Sequence, residues 1–164
     1  MFEKKMEDAL NEQVNAELWS GYLYLSVSYD MDDKGYEGFA SWFAVQAKEE
    51  FKHAERIMKF ISERGGKVKL MPINEVKQVW SSPKEAFEDS LQQEKIVTGR
   101  IYYLMDIAIE LKDYATQNLL KWFVDEQIEE EETPRKILEK LNRIEGIPAA
   151  LYALDKSLGQ RGKC

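Results

Sequence analysis

Residues suited to holding metal ions recur in this chain at one constant offset. Glu17 and Glu94, Glu49 and Glu126, Glu50 and Gln127, and His53 and Glu130 are each 77 positions apart. A solvated surface has no reason to keep such a register. Two copies of one helical hairpin packed face to face would keep it, with a cluster of carboxylates and one imidazole caught between them.

The helix breakers agree with paired hairpins. They gather at Gly65–Gly66, Pro72, Pro83, Gly146 and Pro148, leaving long stretches between them. Helices are expected over about 5–33, 36–64, 83–111 and 114–145, with a short fifth from Pro148 to about Leu158. Ser82 suits the N-cap of the third helix, with Pro83 at its first position and Glu85 closing a capping box. Gly65 or Gly66 suits the end of the second. The joints inside each pair are only a few residues long, so each pair should fold back antiparallel, whereas residues 65–82 can cross a bundle from end to end. The expected architecture is all-α: a single domain over residues 1–164 with four long helices, one long crossover and a short C-terminal helix.

Alternating steps of three and four trace one face of each helix. The first helix gives Leu10, Val14, Glu17, Gly21, Tyr24, Ser28 and Met31, and the second Phe39, Phe43, Gln46, Glu50, His53, Ile57 and Phe60. The third gives Phe87, Leu91, Glu94, Thr98, Ile101, Met105 and Ala108, and the fourth Leu120, Phe123, Gln127, Glu130, Pro134, Ile137, Leu141 and Ile144. Every apolar seam is therefore interrupted by at least one ligand-type residue. Burying an unpaired carboxylate costs several kcal/mol, and Glu17, Glu50, Glu94 and Glu130 would also repel one another. No Arg or Lys stands at the same level of these seams, so protons or metal ions must compensate. Carboxylates with one imidazole and no thiolate suit iron or manganese better than structural zinc. Glu50 is the best candidate to bridge two ions, with Glu17 and His53 completing one site, Glu94 and Glu130 the other, and Gln127 able to hydrogen-bond nearby.

Other residues keep two readings at this level. Glu49 and Glu126, one position off the seam, are surface acids or a flanking metal site. Tyr24 is core or a redox-active phenol beside the metals, and Glu129 to Glu132 form either a solvated acidic run or, at Glu129, part of that flanking site. The net charge of −7 opposes non-specific binding to nucleic acid and favours attraction of cations. A single Cys164 excludes an intramolecular disulfide framework and a Cys-rich metal site, and leaves a reduced surface thiol. The first twenty residues lack an apolar run suited to a signal sequence or membrane span, so a cytoplasmic location without a membrane partner is expected.

Asn11-Glu12-Gln13 leading to Glu17, Glu49-Glu50-Phe51-Lys52-His53, Glu94, and Trp122 followed by Asp125-Glu126-Gln127-Ile128-Glu129-Glu130 together resemble the ferritin family, specifically the bacterial non-haem ferritins. Ferritin-like di-iron proteins are a standard example of helix bundles with ligands projecting inward. The resemblance covers the whole chain. It implies that Glu17, Glu50 and His53 bind one ferroxidase iron and Glu50, Glu94 and Glu130 the other, with Gln127 beside them. Glu49, Glu126 and Glu129 look like a third iron site, Tyr24 like the tyrosine next to the centre and Trp122 like its neighbouring tryptophan. It further implies a homo-oligomeric shell of twenty-four subunits that oxidises Fe(II) with O2 or H2O2 and stores Fe(III) as a mineral, with the fifth helix lining fourfold axes. Haem is not expected, because Gln127-x-x-Glu130 replaces a second Glu-x-x-His and Phe51 replaces a haem-ligating methionine. Pro134 departs from a regular helix, and a kink beside Glu130 is expected from its missing N–H. Two rival readings are a helical scaffold whose inward acids are protonated, and a manganese centre that consumes peroxide.

Overall fold

The computed structural model describes residues 2–163, so the surface thiol expected at Cys164 lies outside the described residues. Five helices follow in order: α1 (Lys4–Asp33), α2 (Glu37–Glu63), α3 (Pro83–Glu110), α4 (Tyr114–Arg143) and α5 (Pro148–Leu158). α1 packs along α2, α3 along α4, and α1 along α3, while α5 lies against α2. The architecture is the expected four-helix bundle with a long crossover and a short C-terminal helix. No helix among the described residues is long and apolar enough to cross a membrane.

The helix ends show why the boundaries fell where sequence placed them. Ser82 caps α3, its hydroxyl accepting from the Glu85 N–H at 3.2 Å. The Glu85 carboxylate accepts from the N–H of Ser81 and not of Ser82, so the box closes one residue further out than expected. α2 ends with Gly65 at φ +74°, which lets the Gly66 N–H reach the Ile61 carbonyl at 2.9 Å and the Gly65 N–H reach Ser62. α3 ends the same way with Lys112 at φ +54°, a left-handed position for which sequence held no glycine signal. Pro134 does not end α4, which stays helical through it to Arg143.

The crossover runs in the direction of α1 along its outer face, and polar side chains of α1 pair its extended backbone. Asn11 donates to the Lys67 carbonyl at 3.0 Å and accepts from the Lys69 N–H at 2.7 Å. Asn15 donates to the Pro72 carbonyl at 3.1 Å, Trp19 to Glu75 at 3.3 Å, and Ser26 to Lys77 at 2.7 Å, and Asp30 accepts from the Trp80 N–H at 3.0 Å. A backbone crossing without regular secondary structure needs such donors and acceptors.

The core divides into two apolar halves. One gathers Tyr24, Met31, Phe39, Phe43, Trp80 and Phe87, and the other Met6, Leu10, Ile57, Ile101, Leu120 and Phe123. Between them lies a layer of buried Glu17, Glu50, His53, Glu94, Gln127 and Glu130. The expected seams hold for α1 and α4 except at Ile144, and for α2 except that Ile61 is buried in place of Phe60. In α3 the buried row is Phe87, Ser90, Glu94, Val97, Ile101, Leu104 and Ala108, so Ser90, Val97 and Leu104 replace the expected Leu91, Thr98 and Met105. Both rows share a residue every seven positions, and which flank is buried depends on the side from which α4 and α1 approach.

Candidate metal centre

Each main helix sends carboxylates to the polar layer: Glu17 from α1, Glu50 with His53 from α2, Glu94 from α3, and Glu126 and Glu130 from α4. Glu50 and His53 project from the same side because they lie one turn apart. Ligand atoms converge to within 4.8 Å of one another in three groups: Glu17, Glu50 and His53; Glu50, Glu94 and Glu130; and His53, Glu126 and Glu130. Glu50 belongs to the first two, where a bridging carboxylate would have to stand. His53 turns Nδ1 toward Glu50 Oε2 at 3.3 Å and Glu17 Oε2 at 3.9 Å, and Nε2 toward Glu126 at 3.9 Å and Glu130 at 4.0 Å. Its ring is held by the edges of Trp122 and Phe123, with centroids 5.6 and 5.8 Å away.

The electrostatics describe a layer short of positive charge. Burial, followed by the charges of Glu94, Glu17 and Glu130, pushes the Glu50 carboxyl well above the usual carboxylate range. Glu94 is raised likewise, first by burial and then by Glu130, against the opposing hydrogen bonds from Tyr24 and Gln127. Glu130 rises to about 7, mainly through burial, with Glu49 and Glu126 adding and Gln46 and Arg161 opposing. Glu17 Oε2 is buried and has no hydrogen-bond partner. An orphaned carboxylate oxygen facing an imidazole nitrogen and a second carboxylate is a seat for a cation, and hard oxygen donors with one imidazole fit iron.

The neighbours of the ligands also have defined places. The Tyr24 hydroxyl donates to Glu94 Oε1 at 2.6 Å, and burial with the charges of Glu94 and Glu50 raises the phenol well above its ordinary range. Gln127 Nε2 faces the Glu94 carbonyl at 3.2 Å, Glu94 Oε2 at 3.3 Å and the Thr98 hydroxyl at 3.2 Å, the geometry of a donor. In the flanking region the structure brings Glu126 to His53 and Glu130, whereas Glu129 is exposed and belongs to none of the convergent groups. Glu49 is instead held by Arg161, whose Nη2 donates to its Oε2 at 2.7 Å.

Sequence reasoning missed Gln13, Gln46, Arg100 and Arg161. Gln46 stood in the traced seam but carried no role, although its amide donates to Glu50 Oε1 at 3.1 Å and Glu130 Oε2 at 2.8 Å. Gln13 donates to Glu17 Oε1 at 2.9 Å. A Gln four residues before each of two ligand glutamates was the available signal. Nothing in the sequence pointed to Arg161, which is brought to α2 only by the packing of α5 and the turn after it.

The family comparisons agree with this geometry. Residues 7–144 match the ferritin-like domain of the ferritin family. A bacterial non-haem ferritin of Staphylococcus saprophyticus is 43% identical over 161 residues, spanning 98% of this chain and 96% of the relative. One from Bacteroides fragilis is 41% identical, spanning 98% and 100%. The solved structure of an open pore ferritin from the hyperthermophilic archaeon Archaeoglobus fulgidus superposes with a TM-score of 0.97 at 46% identity, covering 98% of this chain and 99% of that one. The carboxylate layer, the five-helix architecture and these matches agree that the chain belongs to the ferritin family, on its bacterial non-haem branch.

Proposed function

We propose that this chain is the subunit of an iron-storage ferritin that oxidises Fe(II) within its own helix bundle. Glu17, Glu50 and His53 take one Fe(II), and Glu50, Glu94 and Glu130 take the other, with Gln127 and Tyr24 hydrogen-bonding beside them. The observation that carries this reading is the orphaned Glu17 Oε2, buried among acids whose charges nothing in the seam neutralises. Two Fe(II) would supply one electron each to one O2, which takes up two protons and leaves as H2O2; in the alternative, H2O2 takes the two electrons with two protons and leaves as two waters. Burial and neighbouring carboxylates raise the Glu50 and Glu94 carboxyls, so protons compete with the entering cations for them and binding expels the protons they hold. The edges of Trp122 and Phe123 hold the His53 ring so that Nδ1 faces the first ion.

Oxidised iron then moves to a third site, for which Glu49, Glu126 and Glu129 are the candidates, and onward to a ferric mineral inside a shell of twenty-four copies. The whole chain acts as one ferritin-like domain in the cytoplasm. Replacing Glu50 by Ala removes the residue shared by both sites, and mixing the assembled variant with Fe(II) in air should show loss of the rapid oxidation phase with the particle mass unchanged. Oxidation at the parent's initial rate would defeat the assignment. Anaerobic titration with Fe(II) should saturate at about two tightly held ions per subunit, as two-metal sites do.

A further inference from the structure

The ligand carboxylates of α1 and α2 are held by the same device. Arg100 Nε donates to Gln13 Oε1 at 2.9 Å, and Gln13 Nε2 donates to Glu17 Oε1 at 2.9 Å. Arg161 Nη2 donates to Gln46 Oε1 at 2.9 Å, and Gln46 Nε2 donates to Glu50 Oε1 at 3.1 Å. In each case the glutamine is buried and lies four residues before its glutamate, and the arginine comes from another part of the fold. Arg100 is fixed by the Glu12 carbonyl at 3.3 Å. Arg161 is fixed by the Trp42 carbonyl at 3.3 Å, by Glu49 and by stacking over the Trp42 ring at 4.2 Å.

We propose that Gln13 and Gln46 are positioning residues for the metal centre, each aimed by its arginine so that its hydrogen bond to Oε1 of the glutamate turns Oε2 toward the cation seat beside His53. An arginine has donors and no acceptor, so only the amide oxygen can face it, and the NH2 group is turned onto the glutamate. The relay takes one lone pair of Oε1 in both Glu17 and Glu50, and the other lone pair of Glu50 Oε1 remains for the ion shared with Glu94 and Glu130. The remaining oxygens, Oε2 of each, are the two that face His53 Nδ1 at 3.9 and 3.3 Å. The second amide proton of Gln46 also holds Glu130 Oε2 at 2.8 Å, which leaves Glu130 Oε1 toward His53. Interposing a neutral amide keeps each guanidinium out of the seat. An arginine placed directly against the glutamates would occupy the position the cation needs.

This inference rests on the two-cation reading above, and Co(II) binding to the assembled apo protein without oxygen tests both separately. The visible ligand-field bands of Co(II) report its donors. Gln13→Leu and Gln46→Leu should each weaken Co(II) binding by about ten- to a hundredfold, the usual effect of removing a group that orients a ligand, and should shift the bands. Arg100→Leu should weaken binding in the same direction, although loss of a nearby cation would by itself strengthen it. Added to Gln13→Leu, it should cost nothing further. Parent-like affinity and bands in both glutamine variants, or a full Arg100→Leu loss in the Gln13→Leu background, overturns the relay. If the leucine variants at 13 and 46 do not assemble, Arg100→Leu and Arg161→Leu carry the test, and parent-like binding and bands in both overturn it. Failure of the parent itself to bind Co(II) saturably removes the two-cation centre, a result distinct from parent-like variants.

Discussion

Proton release on cation binding should fall between pH 6 and pH 8, and Glu130 contributes most of a proton to the fall. Its carboxyl rises from an ordinary 4.5 to about 7 because it is buried and faces Glu49 and Glu126, with Gln46 and Arg161 opposing in part. With a midpoint near 7, Glu130 holds about 0.9 proton at pH 6 and about 0.1 at pH 8. A cation requires the carboxylate, so binding should expel about 0.8 proton more at pH 6 than at pH 8 from this residue alone. Glu50 and Glu94 are also raised well above the usual carboxylate range, by burial and by neighbouring carboxylates, and add to the release. Calorimetry of Co(II) binding to the apo protein, in paired buffers of different ionisation enthalpy, counts these protons. Below pH 7 the apparent affinity should drop by up to about tenfold per pH unit for this one proton. Glu130→Gln should shrink the difference between the two pH values by about 0.8 proton. Equal release at pH 6 and 8 in the parent, or an unchanged difference in the variant, would refute the reasoning. The same shift acts on folding. Between pH 4.5 and 7 the folded chain binds more protons than the unfolded one, so apo stability falls as pH rises, by about 3 kcal/mol for Glu130.

Three further outcomes follow from particular contacts. Tyr24→Phe removes the 2.6 Å donor to Glu94, one of the hydrogen bonds that hold its carboxyl down, and should weaken Co(II) binding by about tenfold; unchanged binding would show that the phenol is packing alone. A Cβ at Gly38 would stand 1.6 Å from the Asp155 carbonyl oxygen, and Asp155 accepts from the Phe39 N–H at 2.8 Å at the start of α2. Gly38→Ala should therefore lift α5, raising hydrogen exchange over 148–158 while α1 and α3 stay protected; parent-like exchange there would contradict the close approach. Lys112→Gly relieves a left-handed residue and should raise the unfolding free energy by about 1 kcal/mol, seen as a higher denaturation midpoint, with a lowered midpoint as the contrary result.

Much of this was open to sequence because helical geometry is local. Ser82, Pro83 and Gly65 act on residues within one turn, so helix ends could be read in order along the chain. The seams placed Glu17, Glu50, His53, Glu94, Gln127 and Glu130 inward because a 3.6-residue period needs no partner to be visible. In α3 the same period left two flanks equivalent, and only contact with neighbouring helices chose Ser90, Val97 and Leu104 over Leu91, Thr98 and Met105. Long-range pairing left no local trace. The outer face of α1 reads as ordinary polar surface until the crossover lies along Asn11, Asn15, Trp19 and Ser26.

By itself, then, the sequence determined the four inward-pointing glutamates, the lone imidazole and the family they resemble, since these depend on spacing within single helices. Tertiary structure alone decided which carboxylate oxygens face His53. Arg100 meets Gln13, and Arg161 meets Gln46, across separations that no periodicity records. Those hydrogen bonds exist only after the helices have packed, and they leave Glu17 Oε2 and Glu50 Oε2 facing His53.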